Sequence, residues 1–162
     1  MSGTRPIIAR PMPSNEAIAA LGDIDPLHAR LFAMRGLTEP GELDYGLAQL
    51  APIGSLENID AAAELVIANR NTKIIVVGDF DVDGATSTAL VLRCLREFGF
   101  VDVEYLVPNR FEYGYGLSPE IVRVAAERSP TLLITVDNGV SSVAGVAEAN
   151  RLGIPVLVTD HH

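Results

Sequence analysis

Residues 73–84 read Lys-Ile-Ile-Val-Val-Gly-Asp-Phe-Asp-Val-Asp-Gly, and the division of this stretch decides the fold. Ile74, Ile75, Val76 and Val77 form an unbroken apolar run, as expected of a strand covered on both faces. The run stops at Gly78, three aspartates alternate with Phe80 and Val82, and from Gly84 a helical pattern continues to Phe98. The same rhythm then repeats. A strand is expected over 102–107, a helix opened by Ser118-Pro119 and running to 128, and a strand over 131–136. A helix over 141–152 is stopped by Gly153, and a last strand covers 154–159. Strands separated by helices of this length favour right-handed crossovers and parallel pairing. The expected fold is α/β, a doubly wound, mostly parallel sheet over residues 72–162.

Upstream, residues 1–71 are expected to form a small helical extension. Asp25-Pro26 supplies a cap and a first-turn proline for a helix over 27–35, and Gly36 sits where it would stop. Leu43, Leu47 and Leu50 follow at helical spacing after Glu39-Pro40-Gly41. A further helix over 59–71 carries Ala61, Ala62, Leu65 and Ala68 on one stripe. No chemistry-bearing pattern occurs in this half, and His28 reads as a surface or packing residue of its helix.

Composition narrows the function. The 162 residues are 48% apolar and 20% charged, enough to bury a core. Asp and Glu number 21 against 12 Lys and Arg, for a net charge of -9, and Lys73 is the sole lysine. Such a chain is a poor non-specific binder of nucleic acid or anionic membrane, since phosphates must be met by cations. Cys94 is the one cysteine, which excludes an intrachain disulfide or a cysteine zinc site; it is expected to be a small buried residue. No signal peptide and no apolar run long enough to span a bilayer is present, so a cytoplasmic location is expected.

In open α/β sheets ligands bind beyond the carboxyl ends of the strands. Asp79, Asp81 and Asp83 follow the first strand here, Asp137-Asn138-Gly139 the third, and Asp160-His161-His162 the fourth. Five aspartates and two histidines thus meet at one edge. Carboxylates this close need raised pKa values, arginine partners or a cation. Imidazole beside oxygen ligands suits Mn²⁺ or another first-row ion, an all-oxygen set Mg²⁺ or Ca²⁺. Two ions ~3.5–4 Å apart are a common arrangement for attacking phosphate esters. An EF-hand loop also alternates aspartates, but it needs a preceding helix and a carboxylate at its twelfth position, where this chain has Leu90. A phosphate-accepting receiver domain needs a lysine near the pocket, and Lys73 begins its strand at the wrong end. The helix start at Gly84, with the Thr86 and Ser87 hydroxyls, forms an anion-attracting end; the alternative is that both hydroxyls only satisfy their own helix terminus. In the loop after the second strand, Arg110 is the only cation and is a candidate phosphate clamp, while Phe111, Tyr113 and Tyr115 are candidates for stacking on bases.

The ordered set Gly78-Asp-Phe-Asp-Val-Asp-Gly84, Asp137-Asn138-Gly139 and Asp160-His161-His162 resembles three motifs of the DHH phosphoesterase superfamily. Gly84-Ala-Thr-Ser-Thr-Ala-Leu90, the loop 108–117, Arg35-Gly36 and Leu50-Ala-Pro52 are similar to its bacterial exonucleases specific for single strands. The resemblance implies a Rossmann-like domain and a metal-dependent 5′-to-3′ exonuclease that hydrolyses phosphodiester bonds of single-stranded DNA in recombination and repair. It implies Mn²⁺ or Mg²⁺ in a two-metal site, with Asp81, Asp83, Asp137 and His161 as metal ligands and Asp79 as a further acidic member. By the same resemblance His162 contacts the scissile phosphate, Asp160 steadies the histidines, and water is the nucleophile with no covalent enzyme intermediate. The family also has a fourth motif, a second α/β domain and a nucleic-acid-binding barrel, which this sequence lacks. The last strand ends on Asp160-His161-His162 without a returning helix. The chain is therefore expected to stop short of its domain's end, to bind Mn²⁺ weakly and to show no exonuclease activity alone. Single-stranded DNA is the implied partner, met by the full-length protein; no membrane partner is implied, and the sequence names no repair-protein partner. Competing readings are a phosphodiesterase of short oligonucleotides or cyclic dinucleotides, a pyrophosphatase, or a non-catalytic scaffold module. Intact acids at every motif argue against a scaffold.

Overall fold

The computed structural model describes residues 8–9, 11–109 and 113–162. The chain forms two compact units, Met1–Ser55 and Leu56–His162.

In the first unit, α1 (Asn15–Ala19) is capped by Ser14, whose hydroxyl accepts from Ala17 N–H. The second helix, α2 (Pro26–Ala33), is capped by Asp25, which accepts from the amides of Leu27 and His28. Leu21 and Ala29 are buried. His28 is exposed, its ring 6.4 Å from that of Phe32. The leucine spacing after residue 40 does not give an α-helix. Short 3₁₀ turns occupy Pro40–Leu43, Leu47–Gln49 and Ile53–Ser55 instead. Local bonds prevail there. Glu42 accepts from the amides of Thr38 and Glu39, and Asp44 accepts from Gly46 N–H. Leu47 and Leu50 remain exposed, so no buried face rewards a continuous helix.

The second unit opens with α3 (Ile59–Ala68). It continues β1 (Lys73–Gly78), α4 (Val82–Glu97), β2 (Asp102–Leu106), α5 (Pro119–Ala126), β3 (Leu132–Val136), α6 (Val143–Arg151) and β4 (Val156–Thr159). The strands pair in parallel in the order β2-β1-β3-β4. Alternation along β1 sends Ile74 and Val76 to one face and Ile75 and Val77 to the other, and all four are fully buried. Leu92 and Leu95 of α4 cover the first face; Ile121, Val122 and Ala125 of α5 and Ala149 of α6 cover the second. The rhythm change at residue 72 groups α3 with the N-terminal part, yet Leu65 and Val66 of α3 pack against the first face.

Two local expectations change. The helix α4 begins at Val82 rather than Gly84, because Asp81 serves as its N-cap and accepts from Gly84 N–H at 2.9 Å. Cys94 is half-buried rather than buried: Gly84, Thr88, Leu92 and Leu95 take the inward stripe of α4, and Cys94 lies beside it. Lys73 pairs with Glu104 (2.7 Å) and Asp102 (3.6 Å) at the amino end of the sheet. Along the outer margin of β2, Arg96 donates to Val103 O and Arg128 to Tyr105 O, both at 3.3 Å.

Glu148 ties α5 to α6. It accepts from Arg151 Nε (2.8 Å) and Nη2 (3.0 Å) and from Arg123 Nε (2.8 Å). The hydrogen bonds from Arg151 and then Arg123 hold its carboxyl at about 2, below the ordinary 4.5. A carboxyl depressed on folding stabilises the native state above its unfolded pKa, and that contribution fades as pH falls through the native value. In urea titrations, the stability difference between the wild type and Glu148→Gln is expected to be constant above pH 4.5 and to shrink towards pH 2. A difference that does not change over that range would refute the assignment.

Candidate metal centre

Strand register creates the site. Gly78 at the end of β1 lies opposite Val136 of β3, and Val136 lies opposite Thr159 of β4. The residues that follow, Asp79, Asp137 and Asp160, therefore leave the sheet side by side, from strands spaced by about 4.8 Å. The strand order also reverses between β1 and β3, the place where an open α/β sheet leaves a crevice. Asp137 occupies the middle of the row.

Backbone features fix this geometry. Asp137 has φ 61°, a left-handed conformation that aspartate tolerates better than most residues. Asn138 is buried and donates from Nδ2 to Val77 O (3.1 Å) and Val136 O (2.9 Å), bracing the tips of β1 and β3. At Gly84 a side chain would meet the backbone of Asp79, its Cβ only 2.4 Å from Asp79 O, so glycine permits α4 to approach the strand end.

Two donor groups share Asp137. In one, ligand atoms of Asp79, Asp81 and Asp137 lie within 4.8 Å of one another; in the other, those of Asp137, His161 and His162 do. His161 Nε2 is 2.8 Å from Asp137 Oδ1. The two imidazole rings stack at 4.5 Å between centroids. Asp160 Oδ1 accepts from His162 Nδ1 (2.6 Å) and from the amides of His161 (2.8 Å) and His162 (3.2 Å), while Oδ2 accepts from Val140 N–H (2.9 Å). Burial pushes the Asp160 carboxyl up, but the bonds from Val140 and His162 and from the His161 amide outweigh it and hold it at about 2. The bond to Asp160 in turn raises the pKa of His162.

The structure brings Asp79, Asp81, Asp137, His161 and His162 into these groups and places Asp160 behind the histidines. Asp83 joins neither group. It sits in the first turn of α4 and lines a neighbouring cavity of ≈480 Å³ with Asp137, Asp160 and His161. Thr86 and Ser87 line that cavity too, but their hydroxyls donate to Val82 O and Asp83 O of their own helix. This departs from the expectation that they face a phosphate, because a hydroxyl so engaged gives up its proton only by releasing the carbonyl. Arg110 and Phe111 lie outside the described residues.

Sequence reasoning placed Tyr115 among stacking aromatics only. Its hydroxyl donates to Asp137 O (3.2 Å) and lies 3.4 Å from His162 Nδ1, in a second acidic cavity of ≈520 Å³ with Asp79 and Asp81. Burial raises its pKa, and the charges of Asp79, Asp160, Asp137 and Asp81 raise it further, a measure of the negative potential here. The positive φ values of Gly114 (78°) and Gly116 (74°) allow the turn that delivers it, and that glycine spacing was the only sequence signal.

Carboxylate oxygens with imidazole nitrogens at shared-ligand spacing suit a first-row divalent ion, so the residues fit a metal. Among the described residues no lysine or arginine lines the two acidic cavities, which removes arginine pairing there and favours a bound cation beside the histidines. No helix among the described residues is long and apolar enough to cross a membrane.

Comparison with known proteins agrees with this chemistry. The single-stranded-DNA-specific exonuclease RecJ of Salmonella typhimurium is 51% identical over 151 residues, covering 92% of this chain and 26% of the relative. A crystal structure of exonuclease RecJ bound to manganese superposes with a TM-score of 0.62 at 36% identity, over 70% of this chain and 29% of that one. RecJ of Thermus thermophilus in complex with Mn²⁺ gives 0.58 at 34% identity, over 91% and 20%. The chain thus spans about a quarter of the length of the relative from Salmonella typhimurium. The model of the DHH family, N-terminal domain, matches residues 73–162, the whole stretch from the first strand to the paired histidines, and the chain belongs to that family.

Proposed function

We propose that this chain carries the acidic centre of a cytoplasmic, metal-dependent exonuclease that hydrolyses single-stranded DNA from its 5′ end. The carrying observation is the Asp137 carboxylate, common to an all-oxygen donor group and an oxygen–imidazole donor group at the sheet's switch point. The proteins it resembles over most of its length are named as exonucleases specific for single-stranded DNA, and two of their structures hold manganese.

In this reading Asp81, Asp83, Asp137 and His161 hold Mn²⁺ or Mg²⁺, and Asp79, which belongs to the all-oxygen group, completes the set. When bound, such ions polarise phosphoryl oxygens and acidify water. Asp160 keeps the proton on His162 Nδ1 and raises the proton affinity of the ring, which directs a cationic edge at a phosphate oxygen. The short bond and the Val140 anchor hold this pair in one orientation before substrate arrives. The Tyr115 hydroxyl lies near the same ring nitrogen, 3.4 Å from His162 Nδ1, with the two rings edge-on. Arg110 is assigned to the phosphates of the strand; Thr86 and Ser87, whose hydroxyls donate within their own helix, would join it only by releasing Val82 O and Asp83 O.

The full-length protein should release nucleotides from the 5′ end of single strands in Mn²⁺ and stop on chelation. Asp81→Ala should reduce the rate by at least about a hundredfold, beyond the 10–100-fold cost of losing an outer partner. Undiminished digestion by Asp81→Ala would overturn the assignment.

A further inference from the structure

A third cavity, ≈330 Å³, adjoins the acidic centre and has no place in the chemistry above. Asp79 and Phe80 line both it and the acidic cavity of Tyr115 and His162, so the two cavities adjoin at this pair. The other walls come from Ala89 and Leu92 of α4 and from Tyr105 and Val107 at the end of β2. Its character is the reverse of its neighbours': apart from Asp79 no charged side chain lines it. Thr88, also in the wall, is buried and its hydroxyl has no hydrogen-bond partner. Tyr105 is 56% exposed although Val103, on the same side of β2, is core. A large aromatic ring therefore borders open space.

The size lies within the range of small-molecule sites, and apolar walls with one or two polar groups are their usual lining. A ligand filling this cavity while holding an anion at the adjoining acidic centre would join a largely apolar group, able to lie against the Tyr105 ring, to a phosphate. A nucleotide has that form. We propose that the cavity receives the nucleobase of the nucleotide whose phosphate sits at the acidic centre, with the Tyr105 ring against the base. The place of the phosphate rests on the phosphodiesterase reading; the place of the base rests on the cavity itself. Stacking of this kind accepts any base, because each presents a π-face. The site therefore gives grip without sequence preference.

The test titrates 2′-deoxyadenosine 5′-monophosphate and 2-deoxyribose 5-phosphate into the Mg²⁺-containing protein, following the methyl resonances of Leu92 and Val107. The nucleotide should bind about tenfold more tightly than the sugar phosphate, the equivalent of one stacked base, and only it should shift those methyls. Tyr105→Ala should bring the two affinities together. Ala89→Met, a helix-compatible substitution that fills the cavity, should do the same without removing the tyrosine. Equal affinities in the wild type, or unmoved Leu92 and Val107 methyls, would overturn the proposal even if the full-length protein digests DNA. Conversely, methyl shifts with the nucleotide alone, with no digestion of DNA by the full-length protein, would keep the base site and remove the exonuclease reading.

Discussion

Asp137→Asn is expected to weaken Mn²⁺ binding by at least about a hundredfold in titration calorimetry while leaving the protein folded and no less stable without metal. The two effects have opposite signs for one reason. Asp137 belongs to both donor groups, so its charge is the largest shared contribution to holding a cation. Without a cation, the same buried charge is repelled by Asp79, Asp81 and Asp160, and removing it relieves the row. Loss of an outer partner alone costs 10–100-fold in metal affinity, and a ligand common to both groups should exceed that. Asparagine is the informative replacement, since it tolerates the left-handed φ of 61° that alanine would strain. It also keeps an oxygen near His161 Nε2. Unchanged Mn²⁺ affinity in this variant would remove the metal centre as described.

Gly145→Ala should be the most damaging conservative change to the fold. In an ordinary helix interior, replacing glycine by alanine gains about 1 kcal/mol. In α6, however, the new Cβ would stand 1.9 Å from Leu117 O and 2.8 Å from its carbonyl carbon. Both groups are backbone, so no side-chain rotation relieves the overlap. Overpacking of this sort costs typically about 1–3 kcal/mol, occasionally more, and here it lies above the usual range. A net loss of at least about 2 kcal/mol in urea unfolding is expected, once the propensity gain is subtracted. Leu117 is fully buried and its amide is held by Ser142 Oγ, so the displacement would pass to the turn carrying Tyr115. A neutral or stabilising result would show that α6 and this turn are not in contact.

The alternation of strand and helix from Lys73 onwards was legible because each strand is an apolar run and each helix has its own start or stop signal. Ser118-Pro119 is one, and Ser118 does accept from Ile121 N–H. The convergence of three acidic stretches was legible from topology alone. Their relative placement was not. The family resemblance makes Asp83 a ligand and Asp79 a further acidic member; in the structure, register sets Asp79 beside Asp137, and the cap at Asp81 carries Asp83 into the first turn of the helix, where it lines the neighbouring cavity. No sequence pattern encodes which neighbour of a capping residue turns away. The 3₁₀ turns between 40 and 55 were misread for a related reason: leucine spacing predicts a helix only where a partner surface exists to bury it. Tyr115 escaped notice because its role depends on the positive-φ turn and on the arrival of His162 from 47 residues away.

The arginines on the margin of β2 have a bearing on colloidal behaviour. Arg96 and Arg128 occupy the carbonyls of Val103 and Tyr105, the acceptors that a visiting strand would need in order to extend the sheet. A second molecule approaching that flank meets guanidinium groups instead of open backbone, and lateral polymerisation from this side is disfavoured even in concentrated solution.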